Sequence, residues 1–355
     1  MGYCRRQDDE RRIHRLCRGR RCRMGSARQA GEPVMRIRPL AAEQPDLPQI
    51  AVVVIGEAED AGFNASGLAG ARHAARAGKG RISIVDGLAY DTAEILESLG
   101  GILPDFDGLV FIGGQGDRVM PVLALDWAEK SFAIVQGHAH AENLASYDVA
   151  QEHSAYLAGC LAALMTKTGT VGHLSGHRVR PGLKGRAAFV QGVMETDPAV
   201  HVLTAFCGSQ DDNAITWRWA DAEIKAGADI IFTMLNGARQ GAIEACRAAD
   251  ALQIGNALDW TALAPDVFVA SALARIDLGV ERAIADVATG RLPRAPVILG
   301  LSEGDYASLA LGADVPDAVA ERVATAAGAI RDGSIIVSET YDGVEFEPDT
   351  ETGRC

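Results

Sequence analysis

The chain has 355 residues, 48% hydrophobic and 23% charged, a size that suits two α/β lobes better than one small core. Its net charge of −13 is uneven: residues 1–38 carry 12 Arg against Asp8, Asp9, Glu10 and Glu32, and removing that +8 head leaves −21. An acidic body argues against nucleic acid as the main partner. Seven Cys without a C-x-x-C pair argue against a zinc or disulfide framework. The longest apolar stretch beyond the first strand, 156–165, falls well short of the roughly 20 residues that span a bilayer.

Residues 1–48 read as a disordered Arg-rich extension, with neither interleaved aromatics nor an amphipathic period, and Met24 or Met35 reads as the true start. No apolar segment precedes a small-residue cleavage site, and none leads into Cys4, Cys17 or Cys22, so the chain taken literally stays in the cytoplasm. From residue 49, short β-branched runs alternate with longer helical periods. Strands are expected at 50–55, 81–85, 108–112, 132–136, 170–174, 200–206, 229–233, 252–256 and 267–271. Helices are expected near 65–78, 90–99, 118–129, 150–167, 183–195, 213–226, 238–249 and 275–290. Continuously apolar strands separated by such helices mean parallel sheets covered on both faces. The polar, extended segment 142–148 separates two similar blocks, and further crossings are expected at 256–262 and 295–300.

The expected architecture is therefore α/β, two Rossmann-like lobes joined by several hinge crossings. Lobe 1 comprises 49–147 plus 258–300 and lobe 2 comprises 148–257. Residues 301–355 form a C-terminal segment with a helix at 318–331, a strand at 334–337 and a frayed acidic tail from 341.

The most informative junction is D-A-G-F-N-A-S at 60–66, directly after the apolar run 50–55. In open α/β sheets ligands bind at the carboxyl ends of strands. Phe63 offers a flat stacking surface there, and Asn64 a donor and acceptor that can read a planar polar ring. The turn F-I-G-G-Q-G-D at 111–117 lacks G-x-G-x-x-G spacing, and no acid follows where a nicotinamide site needs one. Gly113, Gly114 and Gly116 are read as permitting close backbone approach, and no cofactor is implied. Asp148, Glu152, Asp211 and Asp212 show no metal-ligand spacing and are read as solvated loop charges. His138 and His140 lack a third ligand. Ser154, and Ser175 with His177, belong to no nucleophile elbow or triad, so no enzyme signature is visible. Trp217 and Trp219, two residues apart, cannot share one helix face, so one is expected outside the core, exposed or in the ligand site.

Taken together, several blocks resemble the basic membrane protein family, the purine nucleoside receptor A-like solute-binding proteins of ABC importers. D-A-G-F-N-A-S (60–66) is similar to the family's D-x-S-F-N-x-S. N-L-A-S-Y (143–147) followed by E-H-S-A-Y-L-A-G-C-L-A-A-L-M-T-K-T-G-T-V-G (152–172) is similar to its E-x-x-Y-L-A-G…T-K-T-G-x-V-G block. F-V-Q-G-V (189–193), A-G-A-D-I-I-F (226–232), G-A-R-Q-G (237–241), I-G-N-A-L-D (254–259) and A-R-I-D (274–277) follow in the family's order.

The resemblance implies a type I periplasmic-binding fold that closes like a Venus flytrap on a purine nucleoside, nucleobase or related heterocycle. It also implies an ABC permease as partner, a cell-envelope location and no catalysis. Residue by residue, Asp60, Phe63 and Asn64 match the base-reading motif, Gly237 the glycine near the ribose, and Asp259 the second acid of the family's I-G-V-D-S-D. Gln136 stands where the family's lobe-1 strand ends in an acid, and Trp217 completes the expected ligand-contacting set. Ala257 and Ala274 replace an acid and a lysine that contact the sugar. An amide at 136 offers one acceptor and one donor where a carboxylate accepts twice. The resemblance thus implies an altered ligand: a free base, a modified nucleoside or another heterocycle. Without the export signal of the family, a cytoplasmic ligand-sensing regulator built on the same clamp is the alternative.

Overall fold

The run Q-I-A-V-V-V-I at Gln49–Ile55 (β2) sends alternate residues to opposite faces, and both faces are covered. Ile50, Val52 and Val54 enter one hydrophobic cluster, Ala51, Val53 and Ile55 another. The structure, a computed structural model, describes residues 35–40, 45–56, 58, 59 and 62–348. The Arg-rich head through residue 34, Asp60 and residues 349–355 lie outside the described residues. So do the expectations placed on Met24 and the three N-terminal cysteines. The described residues from Met35 onward belong to one compact unit.

In the first sheet β2 lies between β3 (Arg81–Leu88) and β4 (Gly108–Ile112). Beyond β4 the parallel pairing continues through β5 (Ser131–Val135), β6 (Leu144–Val149) and β12 (Val297–Leu299), and β1 (Arg36–Pro39) closes the other edge antiparallel to β3. Helices α1 (Phe63–Arg76) and α8 (Ile276–Thr289) cover one face; α2 (Thr92–Ile102) and α3 (Gly116–Asp126) cover the other. Gly116 matters here: a Cβ on it would come within 2.8 Å of Ile134, so α3 can sit down on β5 only without one.

The second sheet repeats the plan with β7 (Thr170–Ser175), β8 (His201–Phe206), β9 (Ile230–Met234), β10 (Leu252–Ala257) and β11 (Phe268–Ala274), all parallel. β13 (Ala307–Leu311) is antiparallel at the edge. One face carries α4 (Gln151–Met165), α5 (Arg180–Thr196) and α9 (Asp317–Arg331), the other α6 (Asn213–Lys225) and α7 (Arg239–Ala249). The two-sheet α/β arrangement is the one read from the alternating pattern.

The crossings fall elsewhere than the sequence reading placed them. Residues 142–148 are not a linker: Leu144–Val149 is a buried strand of the first sheet, and the chain crosses after it, at Ala150. Residues 256–262 stay with the second sheet, because β10 continues into a turn that lays Trp260 on Phe268 with ring centroids 5.5 Å apart. The return crossing comes at Arg275, and a third between β12 and β13. Segment 258–300 is accordingly shared, β11 pairing in the second sheet and α8 and β12 belonging to the first. Strands β1, β12 and β13, short or at sheet edges, went unread.

The C-terminal segment also differs from expectation. Ser334 to Val337 form no strand; Ile335 and Val337 pack on the second lobe's helices, and Ser338 N–H donates to Gln191 Oε1 at 2.7 Å. The acidic tail is tied down as far as it is described. Glu345 pairs with Arg178 and Arg186, and Phe346 N–H donates to Thr204 O at 2.8 Å.

Asp148 and Glu152, read as solvated, are buried. Lys184 Nζ lies 2.9 Å from Asp148 and 2.5 Å from Glu152, Arg180 reaches Asp148 at 2.8 Å, and Glu339 joins Lys184 at 3.1 Å. Burial pushes the Glu152 carboxyl up, with Lys184 opposing and Asp148 adding to the rise. Burial also pulls on the Lys184 ammonium, but Glu152 and Asp148 outweigh it and hold it above its ordinary value. Lys184→Met would leave two carboxylates buried without their cation. Chemical denaturation is expected to show a loss of about 3–5 kcal/mol.

Glu223 on α6 is the opposite case. Its carboxyl is fully buried and makes no hydrogen bond among the described residues, and burial raises its pKa well above the ordinary carboxylate value. Unfolding lets this acid ionise, so the native state loses stability as pH rises above the unfolded value, by about 1.4 kcal/mol per unit until the raised pKa is reached. Denaturation of Glu223→Gln from pH 4 to 8 is expected to lack that slope and to show the larger stability at pH 7.

Candidate ligand cleft between the two sheets

Parallel strands point their carboxyl ends one way, and both sheets turn those ends toward one cleft. Ile55 ends β2, Ile112 ends β4, Ser175 ends β7 and Met234 ends β9, and all four line it. The chain leaves several strand ends in left-handed backbone. Gly56 (φ 79°) and Gly113 (φ 116°) do so at no steric cost, whereas Gln136 (φ 68°) and Ala257 (φ 66°) each carry roughly 1–2 kcal/mol of strain. Such strain persists only where surrounding contacts over-determine it.

Phe63 opens α1 and is half-buried, its ring facing Gly113, where an added Cβ would sit 3.9 Å away. Asn64 beside it is buried, and its Nδ2 donates to Ile55 O at 2.9 Å, so the amide pins the helix start to the end of β2 while lining the cleft. Tyr90, exposed, and Gln115 complete the first lobe's wall. Gln151, at the first residue of α4, stands at the hinge end.

The second lobe supplies Ser175, His177, Val179, Gln210, Asn236 and Asn256. Ser175 Oγ lies 2.9 Å from His173 Nε2, and His173 Nδ1 lies 3.0 Å from Thr204 Oγ1. His173 is fully buried among Phe189, Phe206 and Phe232, and burial, reinforced by Arg186, lowers its pKa to about 3. A neutral imidazole so hard to protonate, backed by a hydroxyl rather than a carboxylate, orients Ser175 but is poorly suited to taking its proton.

Among the described residues no Asp, Glu, Lys or Arg side chain lines the cleft, whereas Asn64, Gln115, Gln151, Gln210, Asn236 and Asn256 do. Nor does any group of three or more His, Cys, Asp or Glu among them suit a metal ion. His138 Nδ1 instead lies 2.7 Å from Asp117, which also accepts the N–H groups of His138 and Ala139 and so fastens the loop after β5.

The residues expected from sequence are only partly brought together. Phe63 and Asn64 line the cleft. Gln136 is buried behind it, its Nε2 donating to Val149 O at 3.1 Å, which ties the end of β5 to the hinge. Gly237 follows the lining residue Asn236 but faces Asp211. Asp259 is exposed, and its Oδ1 accepts from the N–H and hydroxyl of Thr261 at 3.0 and 2.6 Å. Trp217 is exposed away from the cleft while Trp219 packs on the core, as two indoles two residues apart require. Asp60 lies outside the described residues. Ala257 and Ala274 are buried. Ser175 was weighed only as a nucleophile, and Gln210, Asn236 and Asn256 were not singled out, although the strand-end rule that found Phe63 applies equally to the second sheet.

Residues 47–305 match the Bmp family, described as ABC transporter substrate-binding protein PnrA-like. The chain is 24% identical over 177 residues to the transcriptional activator protein med of Bacillus subtilis, covering 49% of this chain and 55% of that one. It is 27% identical over 175 residues to basic membrane protein D of Borreliella burgdorferi, covering 47% and 51%. The chain thus spans about half the length of these curated relatives. A solute-binding protein of an ABC transporter system from Aeropyrum pernix K1 shares the fold with a TM-score of 0.73 at 20% identity, over 83% of this chain and 95% of that one.

Proposed function

The chain belongs to the Bmp family of PnrA-like ABC transporter substrate-binding proteins, and from that premise we propose that it binds an uncharged, flat, polar small molecule between its two lobes. One observation carries this reading: a cleft walled by Phe63 and by carboxamides, with no formally charged side chain among its described lining. Stacking on Phe63 supplies affinity, and the fixed amides supply choice, as in small-ligand sites generally. A purine-like base is the ligand class that fits the Phe63–Asn64 corner. Ala257 and Ala274 weigh against a sugar held by charges. Binding shifts an open–closed equilibrium about the three crossings, and the closed form is what a permease at the cell envelope would meet. Catalysis is not part of the proposal, since Ser175 has only a weak base behind it.

A second reading, a ligand-sensing regulator using the same clamp, draws on the similarity to the B. subtilis transcriptional activator. Among the described residues no helix is long and apolar enough to cross a membrane, a property common to both readings.

Calorimetric titration of the full chain with purine and pyrimidine bases and nucleosides is expected to give saturable binding. Phe63→Ala should weaken the best of them at least tenfold. Unchanged affinity in that variant would move the site elsewhere, and conversion of the bound compound, followed by chromatography, would overturn the binding-only reading.

A further inference from the structure

Two carboxamides on the second lobe's wall have their oxygens already occupied. Gln210 Oε1 accepts from the backbone N–H of Asn236 at 3.2 Å, and Asn256 Oδ1 accepts from Arg239 Nη2 at 2.6 Å. A backbone N–H and a guanidinium can only donate, so each amide's orientation follows from its neighbour's chemistry and not from a choice between look-alike atoms. Arg239 is itself held fast. It is buried, its guanidinium lies 4.5 Å over the Trp260 ring, and it also donates to Thr233 Oγ1 at 3.4 Å and to Leu235 O. Asn256 lines the cleft and precedes the left-handed Ala257, the last residue of β10. The NH2 group of each amide is the branch left over. Neither nitrogen donates to any group among the described residues, and neither is among the sealed, unsatisfied atoms.

We infer that Gln210 and Asn256 form a donor pair facing the ligand, with Arg239 as the positioning residue behind Asn256. The inference rests on the solute-binding reading of the cleft and narrows its ligand. The bound molecule presents acceptors on its edge toward the second lobe: a ring carbonyl oxygen and, in a purine, the bare N7 beside it. A molecule offering N–H groups there sets donor against donor and leaves buried polar groups unpaired, which a site of this kind rejects strongly.

The test is calorimetric titration of the full chain with three matched pairs in which a ring carbonyl is exchanged for an amine: hypoxanthine and adenine, inosine and adenosine, uracil and cytosine. Wild-type protein is expected to favour the carbonyl member of the pair it binds best at least tenfold. Asn256→Asp and Gln210→Glu keep the oxygen that meets Arg239 or Asn236 and replace only the NH2. Each is expected to fold normally, to lose at least tenfold on the carbonyl probe and to shift the ratio toward the amine. Arg239→Met, which releases the Asn256 amide to turn over, should narrow the ratio rather than abolish binding. Ratios unchanged in both carboxylate variants, with binding still lost in Phe63→Ala, would overturn the donor pair and leave the cleft reading standing. Wild-type protein that binds none of the six probes would overturn that reading, and the donor pair with it.

Discussion

An ammonium buried at the joint between the two sheets is the constraint on which the rest of the structure depends. Taking Lys184 out of water costs several kcal/mol unless carboxylates surround it, and those carboxylates come from separate parts of the chain. Asp148 belongs to the first sheet, Glu152 to the helix that begins after the crossing, and Glu339 to the C-terminal segment. One cation therefore ties the start of α5 to β6. The residues around that start, Val179, Pro181 and Gly182, are also part of the cleft wall. The position of the wall and the ion pairing of the hinge are one electrostatic problem with one solution.

Charge is divided sharply between hinge and cleft. The hinge concentrates paired ions, and the cleft lining, where it is described, has none, presenting carboxamides, hydroxyls and aromatic rings instead. Amides suit the recognition of a neutral ligand because they give direction without the desolvation cost of an ion. Their directions are set from behind: Asn64 by Ile55 O, Gln210 by the Asn236 N–H, and Asn256 by Arg239. Arg239 thus places a full charge one residue behind the wall while the wall itself stays neutral.

Much of the fold was legible because buried parallel strands and amphipathic helices write different periods. β2, β4, β7 and β9 read as apolar runs for that reason, and the helices between them as amphipathic spans. Edge strands were harder. β1, β12 and β13 have three to five residues each, and pairing makes them strands more than composition does. Segment 142–148 misled because N-L-A-S-Y-D looks like a linker, although its polar groups are satisfied inside: Ser146 donates to Ala139 O, Tyr147 to Asp286 at 2.6 Å, and Asp148 accepts from Lys184. Half of the candidate site was legible in the same way. Phe63 and Asn64 announce themselves by following an apolar run, while Gln210 and Asn236 sit in ordinary polar loops.

By itself, then, the sequence determined two things: the α/β class with two similar blocks, through periodicity, and the strand-end corner at Phe63, through composition. Only the tertiary structure decided which polar residues meet. Gln136 and Asp259 turn to the hinge and to a local turn, while Asn256, inside a block that singled out Asp259 instead, enters the cleft. The physical reason is that a period reports which face of an element is buried. Whether a polar side chain looks into a cleft depends instead on the backbone angle at its strand end and on the donor or carboxylate waiting across the chain. Those partners lie far away in sequence, as Lys184 does from Asp148 and Arg239 from Asn256.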